Sequence, residues 1–192
     1  LYAKYDDYML SLCAHSPYSI RHIDKKAKSV FPPKMEKETA EDIQERTVEL
    51  FDDDVDNHYR SYFIYKKYDL IFRFFESGDN LRLEQKYPMM MVIDITGCFY
   101  HIYTHSIAWA VKGKEVAKEN VGKDTFEKIF DGLMQHTNYN ETNGIIVGPE
   151  VSRIFAEIIM QAIDLAIHNN LKQKGYSLGR DYEIRRYVDD SY

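Results

Sequence analysis

Apolar and polar positions change their spacing three times along the chain. From residue 1 to 33 aromatic and basic residues are mixed, and Phe31-Pro32-Pro33 closes the stretch, because proline cannot continue a helix. Beyond it Thr39 stands where it would cap a helix with acids in its first turn, running towards Phe51. Tyr62, Phe63, Ile71 and Phe74 recur with other apolar residues at threes and fours, which predicts a helix over residues 59–75, ended by Gly78-Asp79-Asn80. At Met89 the spacing collapses into five consecutive apolar residues, through Ile93. That is the pattern of a strand buried on both faces, and it stops on Asp94. Helical patterns follow over 99–120 and 124–135, and then a polar, turn-rich loop reaches Gly148-Pro149. Proline there suits the start of a helix and Glu150 suits the positive end of its dipole. Val151, Ile154, Phe155, Ile158, Ile159, Ala162 and Leu165 then trace one face of a long helix to about Asn170. Gly175 and Gly179 turn the chain into a final strand over 182–188. No long repeat and no low-complexity linker interrupts this order.

Composition narrows the class. The 192 residues, 44% apolar and 14% aromatic, are enough for one sizeable core or two small ones. Two cysteines, Cys13 and Cys98, are too few for a disulfide framework, and the N-terminus does not read as a signal peptide, so the expected location is cytoplasmic. The apolar stretch from Met89 to Val111 carries Asp94, His101 and His105, which argues against a membrane span. The net charge of −6 is concentrated: residues 36–56 hold ten acids and two bases, a local −8 that leaves +2 elsewhere. Basic residues gather at Arg21, Lys25, Lys26 and Lys28, at Lys112, Lys114, Lys118 and Lys123, and at Arg180, Arg185 and Arg186, a distribution that permits phosphate contacts. The chain starts at Leu1, not Met, and its last motif stops where a return strand would pair its backbone, so it reads as a segment of a longer protein.

Asp189 and Asp190 close the final strand side by side. At roughly 4 Å and an effective dielectric near 20 two such charges repel by about 4 kcal/mol, which something must offset. The plain reading is an exposed hairpin turn. The alternative brings in Asp94, at the end of the other apolar strand. If the two strands are neighbours, three carboxylates converge at one sheet edge, a ligand set for hard divalent cations. Two Mg²⁺ ions about 3.5–4 Å apart then suit phosphoryl transfer.

The neighbouring motifs carry a resemblance. "YVDD" after a strand resembles motif C of reverse transcriptases, "VIDITGCFYHIYTHSIAWA" resembles motif A, and "NGIIVGPEVSRIFAEIIMQAID" resembles motif B, in the family's order and spacing. The details look most like the abortive-infection and defence-associated reverse transcriptases of bacteria. The resemblance covers about 89–192. It implies an α+β chain: a palm of antiparallel sheet backed by helices over 89–192, a mainly helical, fingers-like region over 1–88, and a thumb and C-terminal region absent from this segment. It implies that Asp94, Asp189 and Asp190 hold two Mg²⁺ ions, with Mn²⁺ as the alternative. The backbone after Asp94, at Ile95, would lie near the incoming triphosphate. Phe99, five residues past Asp94, falls at the steric-gate position, where a ring excludes a ribose 2′-hydroxyl and selects deoxynucleotides. Gly148 and Ser152 would support the nucleotide and template base, Ser152 and Ala156 being one turn apart on one helix face. The implied partners are deoxynucleoside triphosphates, a DNA or RNA template or product, a protein primer, and further subunits in a homo- or hetero-oligomer, with no membrane. Some relatives polymerise without a template or prime from a protein tyrosine; the 16 tyrosines here nominate no single one. Ile146 and Val147 stand where general reverse transcriptases carry proline and glutamine, a departure that bears on template handling.

Other chemistries fit less well. "DDDVDNHY" from Asp52 opens like a calcium loop but has Asn57 where glycine is needed and Phe63 where a chelating glutamate belongs. The lysine-rich stretch 111–123 lacks the glycine spacing of a phosphate loop and reads as a solvated helix face. His101 and His105 are one turn apart without a third zinc ligand, which favours packing or hydrogen bonding. Tyr100, Tyr103 and Trp109 read as core more readily than as a base-stacking platform. Two further functions stay open: a non-catalytic nucleic-acid-binding subunit of a defence complex, and an RNA-directed RNA polymerase.

Overall fold

The computed structural model describes residues 1–27, 61–66, 68–119 and 125–192. The helix expected over 39–51 and the acidic loop from Asp52 lie outside the described residues. The rest is a mixed helix-and-strand chain of the α+β kind. Helix α1 (Tyr2–Leu12) leads to strand β1 (Ile23–Lys26), which pairs antiparallel with β2 (Phe63–Tyr65). Short helices α2 (Ile71–Phe75) and α3 (Gly78–Lys86) follow, α3 capped by the Ser77 hydroxyl, which accepts from the Asn80 amide at 3.3 Å. After an extended stretch come α4 (Cys98–His101), α5 (Ser106–Lys112), α6 (Lys114–Glu119), α7 (Phe126–Thr137) and the 24-residue α8 (Glu150–Gln173). A hairpin, β3 (Arg186–Tyr187) and β4 (Asp190–Ser191), ends the chain.

One core crosses residue 88. Met9, Leu12 and Cys13 from the α1 end, Ile23, Phe63 and Ile107 pack with Phe126, Phe130 and Met134 of α7 and Ile154, Phe155 and Ile158 of α8. The Phe130 and Phe155 rings meet edge to face at 4.9 Å. The N-terminal residues are therefore part of the body that supports α8. Glu150 strengthens the link, its carboxylate accepting from the Tyr62 amide at 3.1 Å.

Three expectations are corrected. The helix expected over 59–75 is strand β2 followed by the short α2. Tyr62, Phe63, Ile64 and Tyr65 are aromatic or β-branched residues that suit a pleated, half-buried surface, and pairing with β1 satisfies their backbone. The helix expected over 99–120 is three pieces. Between α4 and α5 the backbone bonds to the 142–144 loop instead, Thr104 N–H to Thr142 O at 2.9 Å and Gly144 N–H to Ile102 O at 2.8 Å. Between α5 and α6 Gly113 takes φ +79, outside the helical region. Finally, Met89 to Ile93 is not buried on two faces: its residues are 54% to 88% exposed, and only Ile93 makes a sheet rung, to Ser191. The run forms a sheet edge that no further strand covers among the described residues. None of the described helices is long and apolar enough to cross a membrane.

Candidate active site

The last eight residues form a tight hairpin. Arg186 pairs with Ser191 and Tyr187 with Asp190, so Val188 and Asp189 make a two-residue turn. Val188 has φ +58, a conformation that costs a β-branched residue and that this turn position ordinarily gives to glycine. Two neighbours extend the hairpin sideways. On one edge Ile20 N–H donates to Arg186 O at 2.9 Å and Arg186 N–H to Tyr18 O at 2.8 Å. On the other, Ile93 and Ser191 exchange both backbone bonds at 2.8 Å, antiparallel.

That second bridge sets the acids. In an antiparallel pair the next step along brings Asp94 opposite Asp190, side chains on the same face. The electrostatics agree: burial, then the charge of Asp189, then that of Asp94 push the Asp190 carboxyl above the usual carboxylate range. No basic side chain among the described residues pulls it back. Cys98, buried at the start of α4, feels the same acids. Burial first, with Asp189 and Asp94 adding, pushes its thiol up to about 11 while Arg186 opposes. Among the described residues no group of three or more His, Cys, Asp or Glu side chains is arranged to hold a metal ion. The donor chemistry nevertheless fits Mg²⁺ or Mn²⁺, because the cluster offers only hard carboxylate oxygens and carries repulsion that a divalent cation offsets.

The remaining expected residues fall in different settings. Ile95 is 40% exposed beside Asp94. Phe99 is half-buried against the core, and its carbonyl accepts from Ile145 N–H at 2.8 Å, which ties α4 to the loop before α8. Gly148 is exposed at φ +118 with open space around an added Cβ, so backbone conformation alone demands glycine. Ser152 is fully buried, its hydroxyl 4.0 Å from the Met134 sulfur, and Ala156 is buried one turn further along α8. Tyr100, Tyr103 and Trp109 are a correction, being 68%, 43% and 39% exposed, not core. The Tyr103 and Trp109 rings lie 5.8 Å apart and the Lys114 ammonium sits 5.3 Å from the indole. His105 is engaged by Asp131 at 2.6 Å.

Among the described residues, several members of the expected basic clusters are engaged by partners. Lys26 bridges Asp6 and Asp7, Arg180 pairs with Asp181, Lys112 pairs with Glu127 and Arg185 with Glu183. Arg186 is fully buried and offers phosphate nothing. Its guanidinium takes both oxygens of Glu157, at 2.8 and 2.9 Å, one of Asp164 at 2.8 Å, and the Val188 carbonyl at 2.7 Å. Gln161 completes the stripe on α8, donating to Glu157 and to Cys13 O at 2.7 Å each, and the Ser16 hydroxyl donates to Asp164 at 2.5 Å. Arg21 stacks between the Tyr65 and Tyr187 rings, at 4.6 and 5.4 Å. The Tyr187 hydroxyl and Arg21 Nε both donate to Asp69 O, at 2.7 and 3.0 Å. The sequence signal for this support was present but unread: Glu157, Gln161 and Asp164 at i, i+4 and i+7 make a polar stripe on a helix otherwise rich in apolar residues. Compared with known proteins, the chain matches no family model and no curated protein.

Proposed function

We propose that this chain is the fingers and palm part of a reverse-transcriptase-like DNA polymerase acting in bacterial anti-phage defence. Residues 1–88 are its fingers-like region and 89–192 its palm, in a cytoplasmic protein that extends deoxynucleotides from a nucleic-acid or protein hydroxyl. The observation that carries the reading is the antiparallel Ile93–Ser191 bridge, which sets Asp94 against Asp190 next to Asp189. In this reading the three carboxylates hold two Mg²⁺ ions, or Mn²⁺, which when bound neutralise phosphate charge and lower the pKa of the attacking hydroxyl. The chain's own residues supply position: the hairpin fixes Asp189 and Asp190, the edge strand fixes Asp94, and the Phe99 ring occupies the space of a ribose 2′-hydroxyl. Catalysis of this kind rests on geometry and fixed charge. The test is Mg²⁺-dependent incorporation of each labelled deoxynucleotide by the full chain. Asp189→Asn should abolish it, and wild-type incorporation by that variant would overturn the mechanism.

One observation favours a second reading, a nucleic-acid-binding subunit without turnover. The exposed Tyr100, Tyr103 and Trp109 with Lys114 nearby have the makings of a stacking surface for single strands. Binding of single-stranded DNA without incorporation of any nucleotide separates it from the polymerase.

A further inference from the structure

We infer that Arg186 is a positioning residue: its buried guanidinium holds Val188 in the left-handed conformation and thereby sets where Asp189 is presented. The consequence for metal affinity rests on the polymerase reading; the conformational part does not. Val188 is the one β-branched residue with positive φ among the described residues, and the strain has to be over-determined by its surroundings to persist. The clamp is Arg186 Nη1, which donates to Val188 O at 2.7 Å across the turn. The same nitrogen bonds Glu157 at 2.8 Å, while Nη2 and Nε bond Glu157 and Asp164. Each donor is therefore aimed by a carboxylate on the rigid α8, and that helix is fixed to the α1 end through Gln161 and Ser16. The Arg186 side chain is 1% exposed, so water cannot substitute for the lost donor. Lysine keeps the charge but cannot make the fork that spans two acids and a carbonyl.

The experiment uses the full chain with labelled valine, reading the Val188 backbone chemical shifts by NMR, and in parallel the Mg²⁺ dependence of incorporation. In folded Arg186→Lys the Val188 shifts should move from left-handed towards extended values, and half-saturating Mg²⁺ should rise about tenfold or more, the usual cost of losing an outer support. Adding Val188→Gly should recover most of that loss, since glycine adopts positive φ without a clamp. Should Arg186→Lys fail to fold, Glu157→Gln should move the same shifts in the same direction, by less. Unmoved Val188 shifts in a folded variant, or a double variant no better than Arg186→Lys, would overturn the inference. If the wild type shows no Mg²⁺-dependent incorporation, the polymerase reading falls, and the Val188 shifts alone judge Arg186.

Discussion

Two sets of carboxylates flank one hairpin. Glu157 and Asp164 lie buried around Arg186; Asp94, Asp189 and Asp190 lie at the open edge. Burial pushes both the Asp164 and the Asp190 carboxyl up, but they diverge after that. Asp164 is pulled back by Arg186 and Ser16, whereas Asp190 meets only further repulsion from Asp189 and Asp94. The first set is satisfied by the chain itself and stabilises the hairpin. The second keeps its mutual repulsion, which in the proposed reading a cation would offset. Charge that folding leaves unbalanced, on a hairpin that folding fixes, is the contrast on which the proposed site rests.

Breaking the buried set should have the largest effect. Glu157→Ala leaves Arg186 buried with half its partners gone, and urea unfolding should show a loss of about 3 kcal/mol. Relieving the turn should act in the opposite direction. Val188→Gly removes a left-handed β-branched residue, and the same measurement should find the chain about 1 kcal/mol more stable, with glycine's own entropy already set against the relief. A loss of stability there would mean that the turn stores no strain.

The smallest effect sharpens the contrast at the open edge. Because Asp190 titrates above its ordinary value in the folded chain, its contribution to stability is present in acid and is lost as pH rises through that raised value. Asp94→Asn removes one of the repelling charges. With chelator present, the variant should therefore be more stable than wild type at neutral pH, by about 0.5 kcal/mol after screening by solvent. The gap should close below the ordinary carboxylate range. Thermal melts across pH, with and without Mg²⁺, read this directly, and added Mg²⁺ should favour the wild type.

Legibility in the sequence followed the range of the forces involved. Helices α7 and α8 were readable because their 3.6-residue spacing and the Gly148-Pro149 boundary are local signals; α8 extends to Gln173 and α7 spans Phe126–Thr137. Strand β2 was mistaken for a helix because aromatic residues are so dense around Tyr62 that helical spacing fits them by chance. Its true partner, β1, lies some forty positions away. The break between α4 and α5 depends on Thr142, which no local pattern announces. At the site, the three acids were visible as residue types. The burial of Ser152 was not legible, because motif spacing gives a helix face but not the direction it points. Arg186 was read as available to phosphate, since nothing near it in sequence reveals that Glu157 and Asp164, 29 and 22 residues away, enclose it. The strain at Val188 was invisible for the same reason: it belongs to the turn, not to the residue.

The central claim is that Asp94, Asp189 and Asp190 share divalent cations, and a crystal of the full chain grown with Mn²⁺ tests it most directly through the anomalous signal of the metal. A peak within coordination distance of the Asp94 and Asp189 carboxylate oxygens is the expected result, together with its loss in Asp189→Asn. Ordered Mn²⁺ found only elsewhere on the molecule, with the edge acids hydrated and turned apart, would contradict it.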